Sequence, residues 1–293
     1  MFTESGSTES GLTESGPTES GGVGRLAPTP SGHLHLGNAL AFGAAWILAR
    51  QTGAELLLRI EDLDRGRSRP EIADAQRRDL EWLGLHWDRE VPPQSQRSYS
   101  VAGLPTYLCD CSRKQRLAGA CPHREHPAEQ GAVRFAASRA PTAFVDQAFG
   151  PQAVVVESDP VLIRRGGEPG YPLAVVQDDV LDGVTQVVRG ADLLEPTAVQ
   201  VQLYRALDRP LPSFLHSPLL LGPDGRKLSK SHGASELRSL RERGVEPARI
   251  WAFLLPLLGI AAPLEHAVLI PEDMLLGPHA VDPERLELLA AQR

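Results

Sequence analysis

The chain contains no apolar run approaching the roughly 20 residues that span a bilayer, so no stretch of it reads as a membrane helix. Its start lacks both the basic opening and the apolar core of a secretory signal. Cysteine is scarce as well. Three occur among 293 residues, and all three (Cys109, Cys111 and Cys121) fall in one short segment. That crowding argues against a disulfide framework and for a reducing compartment, so a cytoplasmic protein is expected. Positive charge is not in excess: 30 Lys and Arg stand against 37 Asp and Glu, a net of −7. Non-specific polyanion binding is therefore not expected, and a nucleic-acid partner would need a local basic face.

The charge is unevenly placed. The first 22 residues hold four Glu and no Lys or Arg, and residues 3–22 read Thr-Glu-Ser-Gly-x four times over. Units of small and polar residues cannot bury apolar surface, so residues 1–22 are expected to be a disordered tail. From Val23 the pattern changes. Val23–Leu26 reads as a strand end, followed by a Pro- and Gly-rich loop and a helix from about Asn38 to Gln51. Glu55–Ile60 reads as a second strand, and Pro70–Leu83 as a helix closed by Gly84. This order predicts an α/β fold: a Rossmann-like, doubly wound parallel sheet. Residues 23–104 would form its first half and 105–183, Cys- and Pro-rich, an inserted subdomain. Residues 184–231, with apolar runs at Gly183–Val188 and Ser213–Leu221, would form the second half, and 232–293 a short C-terminal helical stem.

Two loops carry the strongest chemical signal. Arg25-Leu-Ala-Pro-Thr-Pro-Ser-Gly-His-Leu-His35-Leu-Gly37-Asn38 sits between strand and helix, where free backbone N–H groups and a positive dipole end are aimed at an anion. Lys227-Leu-Ser-Lys230-Ser231 follows the turn Gly222-Pro-Asp-Gly225 and offers two ammonium groups suited to a polyphosphate. A third cluster, Cys109-Asp-Cys111 with Cys121-Pro-His123, supplies three thiolates and an imidazole for a closed tetrahedral Zn²⁺ site. His126 or a water is the alternative fourth ligand.

In this order and separation the two loops resemble the signatures of class I aminoacyl-tRNA synthetases. With Arg59–Asp64, Trp87–Arg97 and Gly183–Thr197, the chain from Val23 to about Ile260 is similar to the glutamate branch of that class. The resemblance implies ATP as substrate, Mg²⁺ on its phosphates, and His35, Gly37, Asn38 and Lys230 at the nucleotide, with His35, Asn38, Lys227 and Lys230 as the catalytic set. Asn38 stands where most of the class has a second His, which suits orientation rather than charge. The resemblance also places Arg25, Leu26, Ala27, Pro28, Thr29, Glu61, Tyr171 and Arg189 around L-glutamate. The chemistry agrees: Arg forks suit the side-chain carboxylate and Glu61 suits the ammonium.

Only about sixty residues follow Ser231, where a full glutamyl-tRNA synthetase continues into a large anticodon-reading domain. The chain is thus similar to the short glutamyl-Q tRNA(Asp) synthetases. Those enzymes load glutamate onto the queuosine base in the anticodon loop of tRNA(Asp), and a monomer is expected by the same likeness. Their zinc site reads Cys-x-Cys, Tyr, Cys; here the segment between Cys111 and Cys121 is shorter and has no Tyr, so His123 takes the fourth place. The alternatives are a truncated conventional glutamyl-tRNA synthetase, a catalytically silent tRNA-binding paralogue and a general nucleotidyltransferase.

Overall fold

A computed structural model describes residues 21–112, 114–115, 121–222, 225–226, 228 and 235–280. The repeat tail up to residue 20, Lys227, Lys230 and Ser231, and residues 281–293 lie outside the described residues. The chain begins with β1 (Val23–Leu26), α1 (Leu36–Thr52), β2 (Glu55–Leu58), α2 (Pro70–Trp82) and β3 (Arg89–Glu90). Then come β4 (Thr106–Cys109), β5 (Ala132–Phe135), β6 (Thr142–Asp146), β7 (Gly150–Val154) and β8 (Val161–Ile163). The remainder is α3 (Tyr171–Leu181), β9 (Gln186–Gly190), α4 (Thr197–Ala206), β10 (Ser213–Ser217) and β11 (Leu220–Leu221), followed by α5 (Leu237–Glu242), α6 (Pro247–Leu254) and β12 (His279–Ala280).

Strands β1, β2 and β3 pair in parallel in that order, and β9, β10 and β6 do the same in a second group. The groups meet along β1 and β9, where the Thr185 N–H donates to the Val23 carbonyl at 2.9 Å. Parallel strands covered on both faces should be apolar without alternation, and β2 shows why. Leu56, Leu57 and Leu58 are all fully buried, Leu56 and Leu58 in one core cluster and Leu57 in the other. Val188 and Leu215 join the first cluster, Val187 and Phe214 the second. The sheet therefore has a core on each face, as a doubly wound fold requires, and each buried Leu contributes about 2 kcal/mol.

The run Ser213–Leu221 is not one strand. Pro218 has no N–H for the ladder, so β10 stops at Ser217 and pairing resumes at β11. Within residues 105–183, β4, β5 and β8 form their own antiparallel sheet, whereas the β6–β7 hairpin pairs onto β10 of the parallel sheet.

Helix α1 is packed unusually close to α6. A Cβ on Gly43 would stand 2.6 Å from the Trp251 ring, and that ring is anchored by its Nε1–H, which donates to the Leu83 carbonyl at 2.9 Å. Contacts from α2 and from the start of α5 fix the loop between β1 and α1. Gln76 of α2, 1% exposed, donates to the carbonyls of Thr29 and Gly32. The Leu237 N–H donates to the Leu34 carbonyl, and Glu236 bridges His35.

Candidate active site

In open α/β sheets ligands settle outside the carboxyl ends of the strands, where the winding reverses. Here that point is the β1/β9 junction, and a cavity of about 430 Å³ opens there. Arg25, Ala27, Thr29, His35, Gly37, Asn38, Glu61, Tyr171 and Arg189 all line it, drawn from β1 and its loop, α1, the end of β2, α3 and β9. Two other residues expected at the glutamate site do not. Leu26 is fully buried in the core, and Pro28 uses its carbonyl to accept the Glu61 N–H at 2.9 Å. Of the second signature, Leu228 is buried and lines the cavity; Lys227 and Lys230 lie outside the described residues.

The start of α1 corrects one expectation. Its first N–H groups are not free: Gly37 donates to His35 Nδ1 at 3.1 Å, and Asn38 to the His35 carbonyl at 2.8 Å. His35 is itself the N-cap, and Asn38 completes the capping box by accepting the His35 N–H on Oδ1 at 3.0 Å. What this terminus presents to an anion is its dipole end and two side chains. The neutral His35 ring must carry its proton on Nε2, because Nδ1 accepts, and Asn38 has its NH₂ to donate.

Charge in the pocket is arranged through residues the sequence reading missed. Arg25, 4% exposed, donates to Asp179 at 3.4 Å and to the Val188 carbonyl at 3.1 Å. Asp179 also accepts from the fully buried Arg59 at 2.7 Å, and Arg59 reaches Glu61 at 3.3 Å and Asp182 at 2.9 Å. Burial raises the Asp179 carboxyl, but the guanidinium groups of Arg59 and Arg25 outweigh it and hold the group below its ordinary range. Glu61 goes the other way: burial lifts its carboxyl in spite of Arg59 and Arg25. Burial also raises the Tyr171 phenol, against the charge of Arg189.

Arg189 is held by a different set. Its Nε donates to His216 at 3.1 Å, Nη1 to Gln200 at 2.8 Å and Nη2 to Thr197 at 2.7 Å. Burial lowers its pKa. A sequence signal for these partners did exist: Asp178-Asp179 interrupts an otherwise apolar helix, and His216 an apolar strand. Buried polar groups in such places need partners.

Away from this cavity, Cys109, Cys111, Cys121 and His123 gather with all four ligand atoms within 4.8 Å of one another. The Cys121 sulfur lies 3.3 Å from that of Cys109 and 3.7 Å from that of Cys111, and His123 Nδ1 is 3.4 Å from Cys111 and 3.6 Å from Cys121. Tetrahedral bonds of about 2.0–2.3 Å to Zn²⁺ require ligand separations of about this size. His123 Nε2 faces Asp110 at 3.2 Å, the outer carboxylate that would orient Nδ1 toward a metal. Burial raises both outer thiols, yet hydrogen bonding to Cys121 brings Cys109 down to about 6 while Cys111 is pushed up to about 11. The donor set thus fits zinc, and His123 is the fourth member rather than His126, which is not in the cluster.

Known proteins match the chain over most of its length. The family model for the catalytic domain of class I tRNA synthetases (E and Q) matches residues 23–109 and 111–275. The glutamyl-Q tRNA(Asp) synthetase of Symbiobacterium thermophilum is 43% identical over 294 residues, covering 85% of this chain and 91% of that protein. The glutamate–tRNA ligase of Oleidesulfovibrio alaskensis is 40% identical over 264 residues, covering 80% of this chain but 56% of the ligase. Among solved structures, the glutamate-tRNA synthetase of Elizabethkingia anophelis superposes with a TM-score of 0.76 at 22% identity, over 91% of this chain and 69% of that one, and so shares the fold. With its sheet wound both ways and these relatives, the chain belongs to the class I aminoacyl-tRNA synthetase family of the glutamate and glutamine branch, among the glutamyl-Q tRNA(Asp) synthetases.

Proposed function

We propose that the chain activates L-glutamate with ATP and transfers it to the queuosine base of tRNA(Asp). The observation that carries this reading is the convergence of Arg25, Arg189 and Glu61 in one cavity beside His35 and Asn38. Two guanidinium groups and one carboxylate mirror the charges of glutamate, which has two carboxylates and one ammonium. Arg25 and Arg189 receive the side-chain carboxylate, Glu61 receives the ammonium, and Tyr171 closes the pocket.

The α-carboxylate oxygen then attacks the α-phosphorus of ATP. A new P–O bond forms as the bond to the β-phosphate oxygen breaks, giving glutamyl-adenylate and pyrophosphate. His35, through Nε2–H, and the Asn38 amide stabilise charge developing on the α-phosphoryl oxygens. Lys227 and Lys230 are proposed to steady the departing phosphates, whose charge Mg²⁺ bound to the nucleotide would help neutralise. A hydroxyl of queuosine attacks the activated carbonyl in the second step, releasing AMP. Zn²⁺ is proposed at Cys109, Cys111, Cys121 and His123. A closed four-ligand set supplies folding energy rather than chemistry, and it would clamp the end of β4 to the turn at 122–124.

Pyrophosphate exchange into ATP tests the first step. Exchange is expected with glutamate and not with glutamine. Equal exchange with both overturns the carboxylate reading.

A further inference from the structure

Arg189 and Arg25 face the same cavity but are held differently. Arg25 pairs with the carboxylate of Asp179. Among the described residues, no carboxylate hydrogen-bonds Arg189, which is 7% exposed; three of its N–H groups go to His216, Gln200 and Thr197, and its guanidinium carbon lies 5.9 Å from the centre of the Phe214 ring. Gln200 and Thr197 are neutral acceptors by nature. His216 is one only in a single tautomer, with the proton on Nδ1 and the lone pair on Nε2.

The structure selects that tautomer. His216 is fully buried, and its Nδ1 lies 2.6 Å from Asp146 Oδ2. The other carboxylate oxygen, Oδ1, accepts the N–H groups of Ala148 at 3.0 Å and Phe149 at 2.9 Å, so Asp146 cannot turn away. An ionised carboxylate only accepts, which puts the ring proton on Nδ1 and turns the Nε2 lone pair toward Arg189. Burial, with the charge of Arg189, favours the uncharged ring over the opposing pull of Asp146 and the Leu193 carbonyl. Thr197 sends its hydroxyl proton to the Leu193 carbonyl at 2.7 Å and so accepts from Arg189 rather than competing with it.

We infer that Asp146 and His216 are positioning residues that hold Arg189 through a neutral acceptor, leaving its charge for the substrate's carboxylate. This rests on the glutamate reading above and deepens it. A substrate with a neutral amide in place of the carboxylate leaves a buried guanidinium without a hydrogen-bonded carboxylate, Asp179 acting on it only through space, and is rejected, whereas glutamate completes the pair.

Asp146→Asn tests the relay. Its Oδ1 keeps the two backbone N–H groups, its NH₂ then faces His216 Nδ1, the ring proton moves to Nε2, and two donors confront each other at Arg189. In ¹⁵N spectra of the full chain, His216 is expected as Nδ1–H in the parent and Nε2–H in the variant. The KM for glutamate in pyrophosphate exchange should rise about 10- to 100-fold, the size of a lost hydrogen bond to a charged group, with less change in kcat and a narrower preference over glutamine. Should the variant fail to fold, His216→Leu, which removes the acceptor, is expected to raise KM, and His216→Gln, which restores an amide oxygen, to bring it back. An Nε2–H ring in the parent, an unchanged KM in folded Asp146→Asn, or equal KM values for the two His216 variants would overturn the relay. Loss of glutamate-dependent exchange in the parent itself defeats the glutamate reading instead, and the spectra still decide the tautomer.

Discussion

Asp179 lies 3% exposed between two guanidinium groups, 2.7 Å from Arg59 and 3.4 Å from Arg25. Asp179→Asn would leave both cations under-compensated in the interior. A loss of about 3–5 kcal/mol is expected, as for removing one partner of a buried pair, and denaturant unfolding would measure it. The pH dependence follows from the same geometry. The folded carboxyl is held below its ordinary value of 3.8, so its contribution is complete above that value and disappears as pH falls through the depressed one. Between about pH 2 and 5 the parent should therefore lose stability more steeply on acidification than Asp179→Asn; parallel curves would contradict this. At this scale Arg25, His35, Glu61 and Arg189 were legible through the family resemblance of their motifs, and they line one cavity. Asp179 and His216 carried only the signal of a polar residue inside an apolar element, and which residues they pair with was not legible, because Arg59, Asp146 and Arg189 lie far from them in sequence.

Among elements, α1 and α6 are held at a distance set by one missing methyl group. Gly43→Ala would place its Cβ 2.6 Å from a Trp251 ring that is tied to Leu83 and has little room to retreat. Destabilisation of about 1–3 kcal/mol is expected by overpacking, seen as a lower thermal midpoint; an unchanged midpoint would show that the helices part freely. The inserted sheet has its own test. Cys121→Ser is expected to lower bound zinc in purified protein from one equivalent toward none and to expose the end of β4 to proteolysis, whereas zinc retained in full would contradict the four-residue site. Helix α1 and strand β2 were visible in the sequence as apolar runs, and α2 by Pro70 and Gly84 at its ends. The hairpin of β6 and β7 was not assigned to the main sheet, since its alternating burial is equally compatible with a sheet of the insert's own. The end of β10 was missed: the apolar run was read through to Leu221, although Pro218 interrupts it.

Across the whole molecule, the feature that matters is how residues 25–38 come to lie against those that follow the Lys-Leu-Ser-Lys-Ser stretch. Glu236 and Leu237 bond directly to the His35 loop, and Leu228 lines the same cavity as His35 and Asn38. The doubly wound sheet gathers them because β1 and β9 are neighbours at its centre. Adenylate chemistry at this junction makes a specific demand on the acceptor, and transfer of labelled glutamate reads it directly. With ATP and Mg²⁺, label is expected on queuosine-bearing tRNA(Asp), and not on tRNA(Asp) lacking queuosine or on tRNA(Glu). Label on tRNA(Glu) instead would make this a conventional glutamyl-tRNA synthetase and contradict the proposed acceptor.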